Sequence, residues 1–183
     1  MKVNGYGQGK VLTTNELRRL FADGLTTSRD RALFAICLFT GCRISEALAL
    51  RTTDIKGETI TFRKSTTKGK LKTRAVEIES GLHEFLLDYQ PKRPGLLFPG
   101  RTPGQPLTRF MADRILKRAC SRIGVEGVST HSFRRTALTQ MSSAGIPLRV
   151  IQEISGHSDL GVLQRYLEVT PDERRKAISI IGF

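Results

Sequence analysis

Residues 28–50 read SRDRALFAICLFTGCRISEALAL, and this stretch decides the fold. From Ser28 to Thr40 the run is apolar on most sides, which predicts a helix at the centre of the protein. Gly41 predicts the end of that helix, because glycine readily takes the left-handed conformation that closes a helix. Residues 44–50 predict a short helix that follows, so Arg43 lies at its N-terminal edge, where the packing is dense.

On both sides of this stretch, capping signals and hydrophobic periodicity predict further helices. Residues Thr13–Glu16 form a predicted capping box that opens the first helix, and Gly145 and Pro147 mark a stop and a start. Ser80 is predicted to cap the helix that follows it. The other predicted helices cover residues 80–89, 108–123, 132–144, 147–155, 160–168 and 170–180.

Two short segments and one long loop complete the predicted fold. Alternating apolar residues predict strands over 59–62 and 75–78, joined as a hairpin with a basic tip over 64–72. Residues 90–106 contain five prolines, which predicts an exposed and irregular loop. The predicted fold class is therefore mainly α with a small antiparallel β-sheet (α+β).

The length of 183 residues predicts one domain. We expect a polar N-terminal arm over 1–11, and then a single domain over 12–183 whose last part, 170–183, is a tail helix. No apolar run approaches the roughly 20 residues of a membrane span, and no signal peptide is expected. Three cysteines without a C-x-x-C pair predict reduced thiols rather than disulfides or a zinc site. A cytoplasmic, nucleoid-associated protein is expected.

The charge balance predicts an anionic partner. The chain has 30 lysines and arginines against 17 acidic residues, a net charge of +13. Nucleic acid is the first candidate partner and an anionic membrane surface the second. Residues 63–74 hold six basic residues and no acid, and there is no tryptophan for stacking on unpaired bases, which favours double-stranded DNA. The residues of this run expected to bind DNA are Arg63, Lys64, Lys70, Lys72 and Arg74.

Two pairs of polar residues stand at predicted helix starts. Glu46 lies one turn after Arg43 and can accept a hydrogen bond from its guanidinium group, although a surface salt bridge has the same spacing. His131 and Arg134 open another helix, where free main-chain N–H groups favour an anion, although His131 could simply cap that helix.

A second histidine and a tyrosine follow near the C-terminus. His157 stands in the Gly156–Asp159 turn, and Tyr166 follows it by nine residues. Each residue alone fits a structural role in a turn or a half-buried helix. Together with the arginines and a hairpin lysine, they form a set suited to attack on a phosphodiester: arginines bind the oxygens, a histidine or lysine moves protons, and tyrosine is a nucleophile. No carboxylate cluster suggests a metal, and no cofactor is expected.

The ordered motifs R-I-S-E (43–46), a hairpin lysine, H-S-F-R (131–134), G-H-S (156–158) and a tyrosine nine residues later resemble the catalytic domain of tyrosine recombinases, the phage integrase family. The resemblance covers about residues 12–175. It implies the fold of that domain and an enzyme that cuts and rejoins DNA without metal. It also implies a site-specific recombinase or integrase that acts as a homo-oligomer, a tetramer on DNA.

The resemblance also implies a role for each matching residue. Arg43 and Arg134 match the phosphate-binding arginines, and Glu46 matches the acid that supports the first of them. Tyr166 matches the nucleophile that forms a 3′-phosphotyrosyl link.

The proton-transfer groups follow from the same match. Lys68 best matches the hairpin lysine that acts as general acid toward the leaving 5′ oxygen, with Lys70 and Lys72 as alternatives. His131 matches a residue for proton transfer or phosphate contact, and His157 matches the histidine that contacts the scissile phosphate.

Two features depart from the family pattern. Arg135 stands where family members often carry a second histidine. About a dozen residues precede the first helix, whereas family members usually carry a separate DNA-clamping domain there; an excised domain and a natural minimal form both remain open.

The apolar C-terminal tail, residues 170–183, is expected to dock either on a neighbouring protomer or on its own domain.

Other functions remain open from the sequence. A type IB topoisomerase or a telomere resolvase would use the same tyrosine chemistry, and an inactive relative would keep the fold. Residues 132–155 also fit a helix-turn-helix of a non-catalytic regulator, although Leu148, Val150, Ile151 and Ile154 look more like core residues than a DNA-reading face.

Overall fold

The computed structural model describes residues 9–66, 73–91, 93–164, 169 and 171–181. In chain order the helices are α1 (Thr14–Arg19), α2 (Ser28–Thr40), α3 (Ile44–Leu48), α4 (Ser80–Asp88), α5 (Arg109–Arg122), α6 (Thr130–Ser143), α7 (Leu148–Ser155), α8 (Leu160–Gln164) and α9 (Pro171–Ser179). The strands are β1 (Ile55–Lys56), β2 (Thr59–Phe62) and β3 (Arg74–Glu77). The predicted fold class, mainly α with a small antiparallel sheet, is confirmed.

Helix α2 is the centre of the fold, as its apolar sequence predicts. Residues 32–37 of this helix are completely buried, and α3, α4 and α6 all pack against it. Gly41 closes the helix in the left-handed conformation, with a φ angle of 59°. Only Cys42 separates Gly41 from Arg43, the N-cap residue of α3, so Arg43 lies next to the core.

The sheet is antiparallel in the order β1-β2-β3. Ile60 pairs with Val76 and Phe62 pairs with Arg74, so all four side chains lie on the buried face. Strand β1 has only two residues, too short for a pattern to predict it. Strand β3 begins one residue earlier than predicted, and this shift makes Arg74 part of the sheet.

Several helix starts differ from the prediction by one or two residues. The Thr13–Glu16 capping box is confirmed, and α1 continues as a π-helical turn over Leu20–Gly24. Glu79, not Ser80, caps α4, because its carboxylate accepts the Gly81 N–H at 2.8 Å. Helix α6 begins at Thr130, so His131 lies inside its first turn.

The proline-rich loop is less exposed than predicted. Leu97 and Phe98 are buried at 3% and 0% exposure. The Leu97 N–H donates to the Leu50 carbonyl at 2.8 Å, and the Phe98 ring stacks on Tyr89 with centroids 5.6 Å apart. Two apolar side chains thus anchor a loop that its prolines and glycines leave irregular.

The described part of the predicted N-terminal arm is held against α6. The Arg135 Nη1 donates to the Gly9 carbonyl at 2.8 Å, and the Leu12 N–H donates to the Thr136 hydroxyl at 2.8 Å. Arg135, which departs from the family pattern, therefore ties the arm to the helix that carries Arg134.

Cys37, Cys42 and Cys120 are all buried, and none of them forms a disulfide in the described part of the chain. Across the described residues, no helix is both long enough and apolar enough to cross a membrane.

We predict that Phe133→Ala destabilises the fold by about 3–5 kcal/mol, the usual result of removing a buried phenyl ring. Phe133 is fully buried and stacks on Phe34 with centroids 4.9 Å apart. Urea unfolding measures the change. The control is Phe110→Ala, at a side chain 68% exposed, which should alter stability by less than about 0.5 kcal/mol. Equal effects of the two substitutions would contradict this packing.

Candidate active site

The guanidinium group of Arg134 is the most buried part of the site. Its residue is 1% exposed, on the second turn of α6. Nη1 donates to the Gly41 carbonyl at 2.6 Å and to the Ser155 carbonyl at 2.9 Å. These carbonyls lie at the C-terminal ends of α2 and α7, where the helix dipoles are negative. Arg134 therefore joins three helices at one point.

His157 lies directly against this arginine. Its ring nitrogens are 3.0 and 2.8 Å from Arg134 Nη2, and its Nδ1 is 2.8 Å from the Ser155 hydroxyl. Burial, followed by the positive charges of Arg134, Arg43 and Arg74, lowers the pKa of His157 to about 3. The ring is therefore neutral near pH 7, and its nitrogen without a proton can accept a hydrogen bond.

Glu46 orients Arg43, as the spacing predicts. The Arg43 N–H donates to Oε2 at 2.9 Å, and Arg43 Nη1 lies 3.3 Å from Oε1. Burial acts to raise the pKa of Glu46, but the Arg74 charge and the Arg43 N–H outweigh it, and the pKa falls below its usual value. The Arg43 side chain is 21% exposed, so it reaches the surface, and its charge acts on the same His157 ring that Arg134 contacts.

Arg74 requires a correction. It was predicted to contact DNA from the surface, but it is only 7% exposed. Its Nη2 lies 3.2 Å from Glu46 Oε2, and its guanidinium carbon lies 4.2 Å from the centroid of Phe62. The strand alternation explains the burial, because Arg74 and Val76 share the inward face whereas Ala75 and Glu77 point outward.

The remaining predicted residues divide into three groups: exposed, partly engaged within the protein, and outside the described part of the chain. His131 is exposed, one turn before Arg134 on α6, and Lys64 is exposed just after β2, in the short 3₁₀ turn Lys64–Thr66. Arg63 donates to the Ala49 carbonyl at 2.9 Å and forms a salt bridge of 3.1 Å with Asp54, so it is partly engaged within the protein. The other predicted site residues, which lie outside the described part of the chain, are Lys68, Lys70, Lys72 and Tyr166.

The structure thus brings together residues that are far apart in sequence. Arg43, Glu46, Arg134 and His157 converge, and the sequence missed Arg74 as a fifth member of this cluster. The alternation of β3 is the signal that could have found it. No cluster of three or more potential metal ligands occurs among the described residues. A compact set of guanidinium groups with a neutral histidine is suited to binding a phosphate and stabilising charge that develops on it.

Comparisons with known proteins agree with this arrangement. The family model of the phage integrase family matches residues 10–173. The tyrosine recombinase XerD of Corynebacterium glutamicum is 33% identical over 156 residues, which cover 81% of this chain and 51% of XerD.

Two solved structures share the fold. The catalytic domain of bacteriophage HP1 integrase is 29% identical with a TM-score of 0.68, and the match covers 95% of this chain and 96% of that one. The XerH site-specific recombinase bound to palindromic difH substrate, in a post-cleavage complex, is 26% identical with a TM-score of 0.73 over 93% of this chain and 52% of XerH.

The fold and the cluster of guanidinium groups therefore define a catalytic domain of the tyrosine recombinase class. The chain belongs to the phage integrase family, as its motifs indicate. It spans roughly half to two thirds of the length of the curated relatives it matches.

We predict that His157 makes the fold acid-sensitive. The unfolded chain binds a proton here below the ordinary pKa of 6.5, whereas the folded chain does not until about pH 3. Protonation therefore favours unfolding, and stability that is complete above pH 6.5 is lost as the pH falls toward 3. Between pH 7 and 5 the loss should be about 2 kcal/mol.

Urea unfolding at both pH values measures this loss in the wild type and in His157→Asn. The variant should lose distinctly less stability on acidification, whereas the control His83→Gln, at an exposed position on α4, should behave like the wild type. An unchanged pH dependence in His157→Asn would refute the assignment.

Proposed function

We propose that this chain is the catalytic part of a site-specific DNA recombinase that cuts and rejoins DNA through a 3′-phosphotyrosyl intermediate. The observation that carries the proposal is the convergence of Arg43 and Arg134 beside the neutral His157, with Arg134 held by two main-chain carbonyls. This arrangement fits a single phosphodiester, because two guanidinium groups can neutralise its non-bridging oxygens.

Arg43 and Arg134 differ in exposure, and this difference suggests that they contact the phosphate in different ways. The partly exposed Arg43 meets the phosphate first, and Glu46 fixes its direction. Nη1 of Arg134 is committed to the Gly41 and Ser155 carbonyls, so Nη2 is the nitrogen that meets a phosphate oxygen beside His157. Negative charge that develops on the pentacoordinate phosphorus is then stabilised by groups that need no reorganisation.

Cleavage follows as a balanced exchange of bonds. The Tyr166 oxygen attacks the phosphorus, its proton passes to a nearby base, and the bond to the 5′ oxygen breaks. His131, exposed one turn before Arg134, is the candidate for proton transfer at the phosphate. Lys68, or else Lys70 or Lys72, donates the proton to the leaving 5′ oxygen. Rejoining reverses the step when a 5′ hydroxyl attacks the phosphotyrosyl bond, and the energy of the phosphodiester is conserved throughout.

The proposed substrate is double-stranded DNA, in keeping with the net charge of +13. The XerH site-specific recombinase is bound to its palindromic difH substrate in the solved complex, which supports this assignment by analogy. The names of the similar proteins, recombinases and a phage integrase, favour recombination over the strand relaxation of a topoisomerase. Assembly as a tetramer on DNA, help from an N-terminal clamping domain and association with the nucleoid are parts of the same proposal.

We predict that the wild-type protein forms a covalent adduct with a nicked duplex in the absence of metal, and that Tyr166→Phe does not. The nick lets the released fragment diffuse away, so the phosphotyrosyl link accumulates and migrates slowly on a denaturing gel. Tyr89→Phe is the matched control, because that hydroxyl serves the fold by donating to the Leu97 carbonyl. Adduct formation by Tyr166→Phe would rule out this nucleophile; an absence of adduct in the wild type despite DNA binding would count against the chemistry unless a supplied clamping domain restores it.

We predict that deletion of residues 171–183 weakens assembly on DNA more than it weakens DNA binding. The side chains of Ile178, Ile180 and Ile181 are 68%, 83% and 73% exposed, and docking on a neighbouring protomer would bury them. Gel shifts measure binding, and sedimentation of the complexes measures assembly. Leu87→Ser, at another exposed apolar side chain, is the control and should affect neither. Equal losses of binding and assembly would contradict a role in assembly.

A further inference from the structure

We propose that Arg74 is a positioning residue that sets the geometry of the phosphate site from the base of the β2–β3 hairpin. It holds the Glu46 carboxylate and the end of α7 with one side chain. This inference rests on the proposed function and goes beyond it, because Arg74 lies outside the motifs on which the family resemblance was based and was expected on the DNA-facing surface.

The first contact is with Glu46. Arg74 Nη2 lies 3.2 Å from Oε2, the oxygen that also accepts the Arg43 N–H at 2.9 Å. The other oxygen of the same carboxylate faces Arg43 Nη1 at 3.3 Å. Glu46 is 1% exposed, so its position depends on these neighbours and not on water. A change at Arg74 therefore reaches the partly exposed Arg43 guanidinium through one buried carboxylate.

The second contact is with the segment that carries His157. Arg74 Nε donates to the Ile154 carbonyl at 3.0 Å, near the end of α7. A Cβ added at Gly156 would lie only 2.9 Å from Arg74 Nη1. Gly156 also has a φ of 68°, so glycine suits both the backbone and the close approach of the guanidinium. Arg74 thus packs on the residue between Ser155 and His157.

The chemistry of arginine explains why one side chain can join these segments. Its planar group donates in fixed directions, here from Nε to a carbonyl and from Nη2 to a carboxylate, while the plane covers the Phe62 ring at 4.2 Å. A lysine keeps the charge but has a single donor nitrogen and cannot reproduce the fork. A buried ion pair adds little net stability, so precise orientation is the more reasonable gain.

The test is Arg74→Lys, compared with the wild type in covalent cleavage of nicked DNA at saturating concentration. We expect the cleavage rate constant to fall about 10- to 100-fold, the size of effect that a small misplacement of reacting groups produces. The Kd for DNA should stay unchanged, because Arg74 is buried. The matched control is Arg31→Lys, since Arg31 similarly joins a carbonyl (Leu25) and a carboxylate (Asp88) but far from the cluster. It should leave the rate unchanged.

A double substitution separates positioning from direct contact. Glu46→Gln alone should slow cleavage, and Arg74→Lys in that background should slow it no further, because both changes interrupt one chain of contacts. If the double variant slowed cleavage by the product of the two separate effects, or if DNA affinity fell, Arg74 would act independently of Glu46 and the proposal would be overturned. If Arg74→Lys does not fold, a second double variant replaces it. Arg74→Met combined with Glu46→Gln removes both buried charges, and its cleavage rate is compared with that of Glu46→Gln alone.

A readout without DNA keeps the failure of this inference distinct from failure of the proposed function. The NMR signals of the His157 ring should move in Arg74→Lys and stay in place in Arg31→Lys, whereas those of His83 should move in neither. Unmoved His157 signals would overturn the positioning role whatever the cleavage assay gives. A wild type that forms no adduct, with His157 signals that do move, would overturn the proposed function and with it the catalytic meaning of the contact.

Discussion

The rest of the structure depends on one buried guanidinium group. Arg134 is 1% exposed, and leaving such a charge without acceptors in the core would cost several kcal/mol. The cost is offset by carbonyls at the ends of α2 and α7, both of which close with a left-handed glycine. The two helix ends are therefore fixed in relation to α6, and the turns that follow them carry Arg43 and His157 to the same place.

This constraint also explains the electrostatics of the site. Three guanidinium groups (Arg43, Arg74, Arg134) against one carboxylate (Glu46) leave two positive charges, while the same charges and burial keep His157 neutral. Such a cluster favours an anion with two negatively charged oxygens that accept hydrogen bonds over any neutral ligand. Its members are locked by main-chain acceptors and by one another, so the site is organised before any substrate arrives.

The sequence predicted the features that local pattern controls. Helix α2, its end at Gly41 and the Arg43–Glu46 pair all follow from spacing within a few residues. The hydrogen-bond acceptors of Arg134 could not be predicted in this way. Gly41 is 93 positions away, and the contact is made with main-chain oxygens that carry no sequence signal.

Arg74 illustrates the opposite error. A run of basic residues suggested a uniformly exposed surface. In a β-strand, however, every second side chain points to the same face, so alternate residues of the run can point inward. The start of β3 was placed one residue late, so Arg74 was counted with the exposed hairpin tip and not with the alternating strand. The partial burial of the proline-rich loop was not predicted for a related reason. Prolines dominate its sequence pattern, so nothing in that pattern indicates that Leu97 and Phe98 are buried.

The central claim is that the side chains around Arg134 form a binding site for the scissile phosphate. Its most direct test is a crystal structure of the protein with a nicked duplex and orthovanadate, which mimics pentacoordinate phosphorus. The account predicts vanadate with equatorial oxygens bound by Arg43 and by Arg134 Nη2, His157 in contact, and the Tyr166 oxygen at an apical position. Vanadate bound elsewhere on the basic surface, with Arg134 still covered and Tyr166 remote, would contradict it.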